Sequence, residues 1–421
     1  MSVSNWPTAI AHIDADCFYA SCEQLRRPDL RGRAICVLSS QDACIVAKTY
    51  DAKAAGITTG MTAWAARKCM PQAVFIPADF RYYGQISDKL FSILRHFSPA
   101  IEEYSIDEAF VDMQGLRSLY RKPYQQIADE LRAKVQREIG ITVSIGISVT
   151  RTLAKMASEY HKPNGTTIVA ARRIHDFLQQ VSVRAIPGIG HSREALLDKF
   201  AIRTGADFAT ASEHHIQRLM GKSGVELWHE LNGTSLYPVV TESRMPKSVA
   251  RTASMGQLTQ DRAIIRMHLA RHTMQLSKAL MEKRLTARRL TVFLTLKSFE
   301  QQAFTAELPY PTADYFLLMA QASSALQGLF DPLRVYRACG LIATDINIRH
   351  AAHFGLFQQT ERQHEDKHRQ LLEAMHCINH KYGNNVLVMC AALKPAGKAA
   401  SAKMAAFCKG ARFAYPMMEC S

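Results

Sequence analysis

Apolar and polar positions along this chain separate strands from helices over most of its length. Residues 8–14 read as a strand and Phe18 to Leu25 as the start of a helix. Apolar runs at 34–38 and 43–48 predict two short strands. The stretch from Tyr50 to Met61, punctuated by Gly56 and Gly60, predicts a short helix and a turn, with a further helix over about 62–69. From Tyr83 the residues Ile86, Leu90, Ile93, Leu94 and Phe97 recur at helical spacing, followed by a strand-like hairpin at 101–113. Ile127, Leu131, Val135 and Ile139 mark a second amphipathic helix, 142–149 a strand, and about 151–160 a helix that ends in the basic turn His161-Lys162-Pro163-Asn164-Gly165.

Residues 170–233 carry only helical spacing. From 246 to 349 the pattern predicts a strand near 247–255, a long helix near 260–284, strands at 289–297 and near 302–308, a helix at 313–328 and a strand at 336–347. Beyond 350, a helix over about 361–381 precedes a short apolar strand at 386–389. The opening order is strand, inserted unit (about 26–76), helix, two strands, helix, strand. It predicts a split β-α-β, ferredoxin-like domain whose first strand lies beside the 101–113 hairpin.

Composition narrows the function classes. A chain of 421 residues with 48% apolar and 21% charged residues can bury a sizeable core. Lys and Arg number 52 against 37 Asp and Glu, a net charge of +15. Such a surplus favours a polyanionic partner, nucleic acid before membrane, because no basic amphipathic anchor or lipidation signal is present. Charge for solubility alone is the plainer alternative. The uncharged segment Met1–Thr8 leads directly into a strand, and neither a signal peptide nor an apolar run long enough to span a bilayer is expected. Ten scattered cysteines without a Cys-x-x-Cys pair fit a reduced cytosolic protein.

The chemistry concentrates in Ser105-Ile106-Asp107-Glu108-Ala109-Phe110-Val111-Asp112. Two adjacent carboxylates sit in an otherwise apolar run, with no Lys or Arg between Phe97 and Arg117. A buried carboxylate needs a partner, and a divalent cation is the simplest one. The first strand ends in Asp14-Ala15-Asp16 and would supply a second acidic edge. Asp14, Asp107 and Glu108 together have the chemistry of a two-Mg²⁺ phosphoryl-transfer site; exposed strand-end charges are the bland reading. Two further stretches suit phosphates. Ile186-Pro187-Gly188-Ile189-Gly190 opens a helix N-terminus, although an ordinary glycine turn has the same sequence. The 260–284 helix, with Arg262, Arg266, Arg271, Lys278, Lys283 and Arg284, continues into Arg288 and Arg289. It reads as a phosphate-tracking face or as a solvated one.

Taken in order, these motifs resemble the Y-family translesion DNA polymerases. Asp14-Ala15-Asp16-Cys17-Phe18-Tyr19 is similar to the family's first acidic motif, and Ser105-Ile106-Asp107-Glu108-Ala109-Phe110 to its Ser-x-Asp-Glu motif. Ala154-Lys155-Met156-Ala157-Ser158 and Lys162-Pro163-Asn164-Gly165 resemble the end of its palm. The resemblance implies an α+β multidomain, right-hand polymerase. Its parts would be a ferredoxin-like palm (1–25 and 77–168), small fingers (26–76), a helical thumb with a helix-hairpin-helix (169–235), an α+β little finger (244–350) and a tail (351–421). It further implies that Asp14, Asp107 and Glu108, with the Ala15 carbonyl, hold two Mg²⁺ ions. Tyr19 would be the steric gate against ribonucleotides, with Phe18 beside it. Tyr50 and Lys162 would contact the triphosphate, and Gly188, Gly190, Arg288 and Arg289 the DNA. Lys53 stands where the family places an Arg over base and phosphates; it keeps the charge but loses the planar fork.

Within the family the tail most resembles the bacterial UmuC branch, through Tyr336 to Asp345, His353-Phe354-Gly355-Leu356-Phe357 and Met375 to Gly383. The Phe354–Phe357 stretch is similar to a sliding-clamp-binding peptide, with His353 in place of the usual Gln; a buried apolar turn is the competing reading. The expected function is error-prone, template-directed addition of dNTPs to a primer 3′-OH in a cytoplasmic, nucleoid-associated protein. Its expected partners are primer-template DNA, a sliding clamp and a UmuD-type protein. A non-catalytic DNA-binding subunit is the alternative from another class. A nucleotidyl cyclase is disfavoured because its Gly-Gly-Asp/Glu-Glu-Phe turn is absent.

Overall fold

The structure is a computed structural model that describes residues 5–39, 44–242, 245–348, 359–382 and 386–393. The chain divides into two compact units, Met1–Ser243 and Arg244–Ser421.

The first unit begins with β1 (Ile10–Ala15) and α1 (Phe18–Arg26). An inserted segment follows, made of β2 (Ile35–Leu38), β3 (Ile45–Lys48), α2 (Tyr50–Ala54), α3 (Ala63–Cys69) and β4 (Val74–Pro77). The chain returns through α4 (Phe80–Phe97), β5 (Ile101–Glu103), β6 (Glu108–Asp112), α5 (Leu116–Tyr120) and α6 (Tyr124–Glu138). It continues as β7 (Val143–Ser148), α7 (Arg151–Tyr160) and β8 (Thr166–Val169). The helices α8 (Ile174–Gln179), α9 (His191–Asp198), α10 (Gly205–Thr210) and α11 (Glu213–Leu231) complete the unit.

Strand β1 is buried at every residue because it is the middle strand of the sheet β5-β6-β1-β7-β8. It pairs antiparallel with β6 on one edge and β7 on the other, so a nearly continuous apolar run is the sequence such a strand needs. On one face Ala11, Ile13, Val111 and Ile145 pack with Leu90 and Leu94 of α4 and Ile127 and Leu131 of α6. On the other face lies α7. Gly146 of β7 permits that approach: a Cβ there would stand 2.1 Å from the Ala154 carbonyl oxygen and 2.2 Å from the Ser158 nitrogen. The inserted segment has its own sheet, β3-β2-β4, over a small core of Cys36, Leu38, Ile45, Ala52 and Ile57.

The second unit contains β9 (Ser248–Thr259), α12 (Arg262–Glu282), β10 (Leu285–Leu296), β11 (Gln301–Thr312), α13 (Tyr315–Leu329), β12 (Tyr336–Ile348) and α14 (Gln359–Tyr382). Its sheet, β11-β10-β12-β9, is antiparallel throughout. Leu290, Val292 and Leu294 of β10 pack with Ile265, Leu269, Leu276 and Leu280 of α12. Asp261 and Asp314 cap α12 and α13 through backbone amides.

Three departures from the sequence reading have local causes. Strands β4 and β8 escaped the sequence reading: β4 closes on Pro77, and β8 opens with two threonines and has only Ile168 and Val169 as an apolar pair. Strand β10 begins before the predicted 289, since its register against β11 shifts between Ala287 and Arg289 and breaks the alternation. No strand forms at the predicted 386–389. There the Asn379 side chain donates to the Leu387 carbonyl (2.9 Å) and accepts its N–H (2.8 Å), taking the place of a partner strand. The eight cysteines among the described residues are all free thiols. No helix among the described residues is long and apolar enough to cross a membrane.

Two outcomes follow from this packing. Gly146→Ala should destabilise the protein by about 3 kcal/mol or more in chemical denaturation, because its methyl group meets backbone on α7. His272 in α12 is 6% exposed, and burial, aided by nearby His268 and Arg271, holds its imidazole down at about 4. The unfolded chain therefore binds more protons than the folded one between about 4 and about 6.5, so stability is full above that window and is lost as pH falls through it. The non-titrating His272→Gln should lose less thermal midpoint than the wild type between about pH 7 and about pH 5.

Candidate active site

The centre is built at one end of the β1–β6 pair. Asp14 and Glu108 are register partners across the two strands, and the Ala15 N–H donates to the Asp107 carbonyl at 3.0 Å. The three carboxylates, Asp14, Asp107 and Glu108, thus come to a common strand end. The neighbouring sequence offers them no Lys or Arg, and the tertiary structure brings two in from farther along the chain. Lys155, on α7, places Nζ 2.5 Å from Glu108 Oε1. Lys162, in the turn after α7, places Nζ 2.7 Å from Asp14 Oδ1 and 2.5 Å from Glu159 Oε1.

Burial decides the electrostatics. It pushes the Asp14 carboxyl up to about 8, against the pull of Lys162. Burial also raises Asp107, although its Oδ1 accepts from Ser105 Oγ at 2.6 Å. Burial works to lower the Lys162 ammonium, but Asp14 and Glu159 outweigh it and hold the group above its ordinary value. Burial disfavours the charged form of these carboxyls, so a strong countercharge would favour their ionisation, and hard oxygen donors of this kind fit Mg²⁺. Among the described residues no three His, Cys, Asp or Glu side chains are gathered in metal-holding geometry; Asp14 and Glu108 are turned to their lysines.

A cleft opens beside these acids. Asp14, Ala15, Phe18, Tyr19, Asp107 and Lys162 line it from one side, and Lys48, Tyr50, Lys53 and Thr59 of the inserted segment from the other. The Tyr19 ring stacks on Tyr83 with centroids 4.6 Å apart and 18° between planes, and Phe80 meets it edge-on at 5.7 Å. Tyr83 is itself fixed by donating to Glu23 Oε1 at 2.8 Å. A ring held between α1 and α4 in this way is a rigid wall. Phe18 touches Tyr19 at 5.7 Å and is 2% exposed.

Two participants escaped the sequence reading. Lys155 was visible as part of the spacing Lys155, Glu159, Lys162, four and then three residues apart, which puts all three on one side of a helix and its exit turn. Lys48, whose Nζ donates to Thr59 Oγ1 at 3.0 Å, gave no signal, because β3 is too short to show which way its residues face.

The expected DNA-contacting residues lie elsewhere. Gly188 (φ +93°) and Gly190 are exposed in the turn that opens α9, and Arg193 Nη1 donates to the Gly188 carbonyl at 2.8 Å. In the second unit Arg288 and Arg289 are exposed on β10, Arg288 beside Glu307 at 3.1 Å. The basic helix α12 and its exit keep Arg262, Arg266, Arg271, Lys283 and Arg284 exposed, and Arg271 also donates to the Ala392 carbonyl at 2.8 Å. The suggested clamp-binding residues His353, Phe354, Leu356 and Phe357 fall outside the described residues.

Known proteins share this sequence and fold. A family model described as the impB/mucB/samB family matches residues 13–159, and one described as that family's C-terminal domain matches 246–356. DNA polymerase IV of Bacillus velezensis is 29% identical over 391 residues, covering 91% of this chain and 93% of that protein. DNA polymerase IV of Neisseria meningitidis is 30% identical over 312 residues, 72% of this chain and 84% of that protein. These relatives bear the polymerase IV name and do not support a placement nearest the UmuC branch. Among solved structures, a Y-family DNA polymerase chimera of Dbh and Dpo4 has a TM-score of 0.69 at 22% identity, covering 81% of this chain and all of that one. An insertion ternary complex of Dbh DNA polymerase has a TM-score of 0.58 at the same identity.

Proposed function

Because this chain belongs to the Y-family of translesion DNA polymerases, the impB/mucB/samB family, we propose that Asp14, Asp107 and Glu108 are the carboxylates at which it adds a dNTP to a primer 3′-OH. The chain is a DNA-directed DNA polymerase of translesion synthesis. The observation that carries the residue assignment is the convergence of three carboxylates on one strand end, beside a cleft walled by Tyr19 and by Tyr50, Lys53 and Lys162.

The donor set fits two Mg²⁺ ions held by Asp14, Asp107 and Glu108, with the Ala15 carbonyl. When bound, such ions stabilise charge on the attacking and leaving oxygens. The chain's own residues do the rest. Lys162 and Tyr50 face the phosphates from opposite sides of the cleft, and Lys53 adds a positive charge without a guanidinium's fork. Metal ions held by these carboxylates would supply the countercharge that Lys162 and Lys155 now give Asp14 and Glu108, leaving Lys162 for phosphate. The Tyr19 ring, braced by Tyr83 and Phe80, occupies the space a ribose 2′-OH would need. The exposed turn at Gly188 and Gly190 and the exposed Arg288 and Arg289 are assigned to DNA phosphates, which position the duplex without reading its sequence.

The net charge of +15 supports a DNA-bound, cytoplasmic, nucleoid-associated protein. A sliding clamp is the proposed partner for the His353–Phe357 segment, and a UmuD-type protein a second partner that rests only on the likeness of the tail.

Primer extension with Mg²⁺ on undamaged and abasic templates tests this reading. The wild type should extend both, while Asp14→Ala and Glu108→Ala should lose at least about a thousandfold in rate with DNA affinity nearly intact. Persistent synthesis by either variant would remove that residue from the site. Tyr19→Ala should raise ribonucleotide incorporation by about tenfold or more, because a steric wall rejects by shape; unchanged sugar discrimination would assign the gate elsewhere.

A further inference from the structure

Asp16 follows β1 directly as the second acid of the first acidic motif, and the metal-site reading leaves it without a task. It is 2% exposed, and no Lys or Arg pairs with it among the described residues. A carboxylate so placed is costly unless hydrogen-bond donors converge on it. Three do. Ser144 Oγ donates to Oδ1 at 2.8 Å and the Tyr50 hydroxyl donates to Oδ1 at 3.3 Å. The Asn164 backbone N–H donates to Oδ2 at 2.8 Å.

These donors come from different parts of the first unit. Ser144 belongs to β7, Tyr50 opens α2 of the inserted segment, and Asn164 sits in the turn that carries Lys162. The turn is gripped twice more. Its Gly165 N–H donates to Ser144 Oγ at 3.4 Å, and Arg132 Nη2 donates to Asn164 Oδ1 at 3.0 Å. Gly165 has no room for a side chain, since a Cβ would stand 1.8 Å from the His161 carbonyl oxygen. The turn thus has one packed course, and Asp16 is its anchor on the β1 side.

We propose that Asp16 is a positioning residue for the incoming nucleotide. It ties Tyr50 and the Lys162 turn to the end of β1, so that both groups meet the triphosphate from fixed places beside Asp14. The inference deepens the proposed polymerase reading and rests on it for the identity of the ligand. Asp16 itself touches neither phosphate nor metal; it acts through Tyr50 and Lys162. A carboxylate suits the task because it accepts from all three donors at once without a hydrogen of its own to place.

The test measures binding of a fluorescent, non-hydrolysable dNTP analogue to the full chain on primed DNA, together with DNA affinity. Asp16→Ala should weaken analogue binding by about tenfold or more while DNA affinity stays within about twofold, because charge-assisted hydrogen bonds are lost only on the nucleotide side. Asp16→Asn should restore most of the binding, since its oxygen can accept the Asn164 N–H while its amide faces the two hydroxyls. Asp16→Ala combined with Lys162→Ala should cost clearly less than the product of the separate losses, because the two act as one unit. Wild-type analogue affinity in Asp16→Ala, a parallel loss of DNA affinity, or fully multiplicative losses would overturn the proposal. If Asp16→Ala does not fold, Ser144→Ala decides: about threefold weaker analogue binding is expected from losing one donor, and unchanged binding overturns the role. A wild type that binds the analogue as described but adds no nucleotide would refute the polymerase reading and leave this inference standing.

Discussion

The structure depends on keeping carboxylates ionisable at the end of a strand that has no free edge and no exposed face. Strand β1 is hydrogen-bonded on both sides and covered by helices above and below, so Asp14 and Asp16 emerge where water is scarce. The fold answers the two acids differently. Asp14 is pushed up by burial, with Lys162 as its nearest cation. Asp16 is satisfied by three donors and becomes part of the framework. Two residues apart, Asp14 at the end of β1 and Asp16 in the turn just after it, the pair is met by a cation in one case and by neutral donors in the other.

Helix α7 and its exit turn serve both. The helix can lie against the sheet because Gly146 offers no side chain, and that close approach delivers Lys155 to Glu108 and Lys162 to Asp14. The cations therefore act as stand-in countercharges for the acids. Opposite them, the inserted segment contributes a wall of small and cationic residues on short elements, while the aromatic wall of Tyr19, Tyr83 and Phe80 is rigid.

The second unit is organised by a separate core and shows the same division. Helix α12 commits its apolar side to the sheet and Arg271 to the Ala392 carbonyl. Its remaining exposed cations, with Arg289 on β10, form the charged surface. Long-range Coulomb attraction to a polyanion needs only that such charges be exposed and of one sign, which explains why composition alone pointed to nucleic acid.

The sequence by itself determined the order of strands and helices, the ferredoxin-like course of the first unit, and the candidate trio Asp14, Asp107 and Glu108. Each of these is written in local periodicity or in acids set against an apolar background. It also marked Tyr19, Tyr50 and Lys162 through motif resemblance. It did not reveal β4, which closes on a proline, or β8, which opens with two threonines, and it misread 386–389, where a single side chain, Asn379, stands in for a partner strand. Above all it could not show who neutralises whom. Lys155 and Glu108 lie 47 residues apart, and Asp16 and Asn164 lie 148 apart. Only the packing of α7 across the sheet brings them within hydrogen-bond reach. Charge pairing falls off with distance in space, not along the chain, so the electrostatics of this site belong to the tertiary structure.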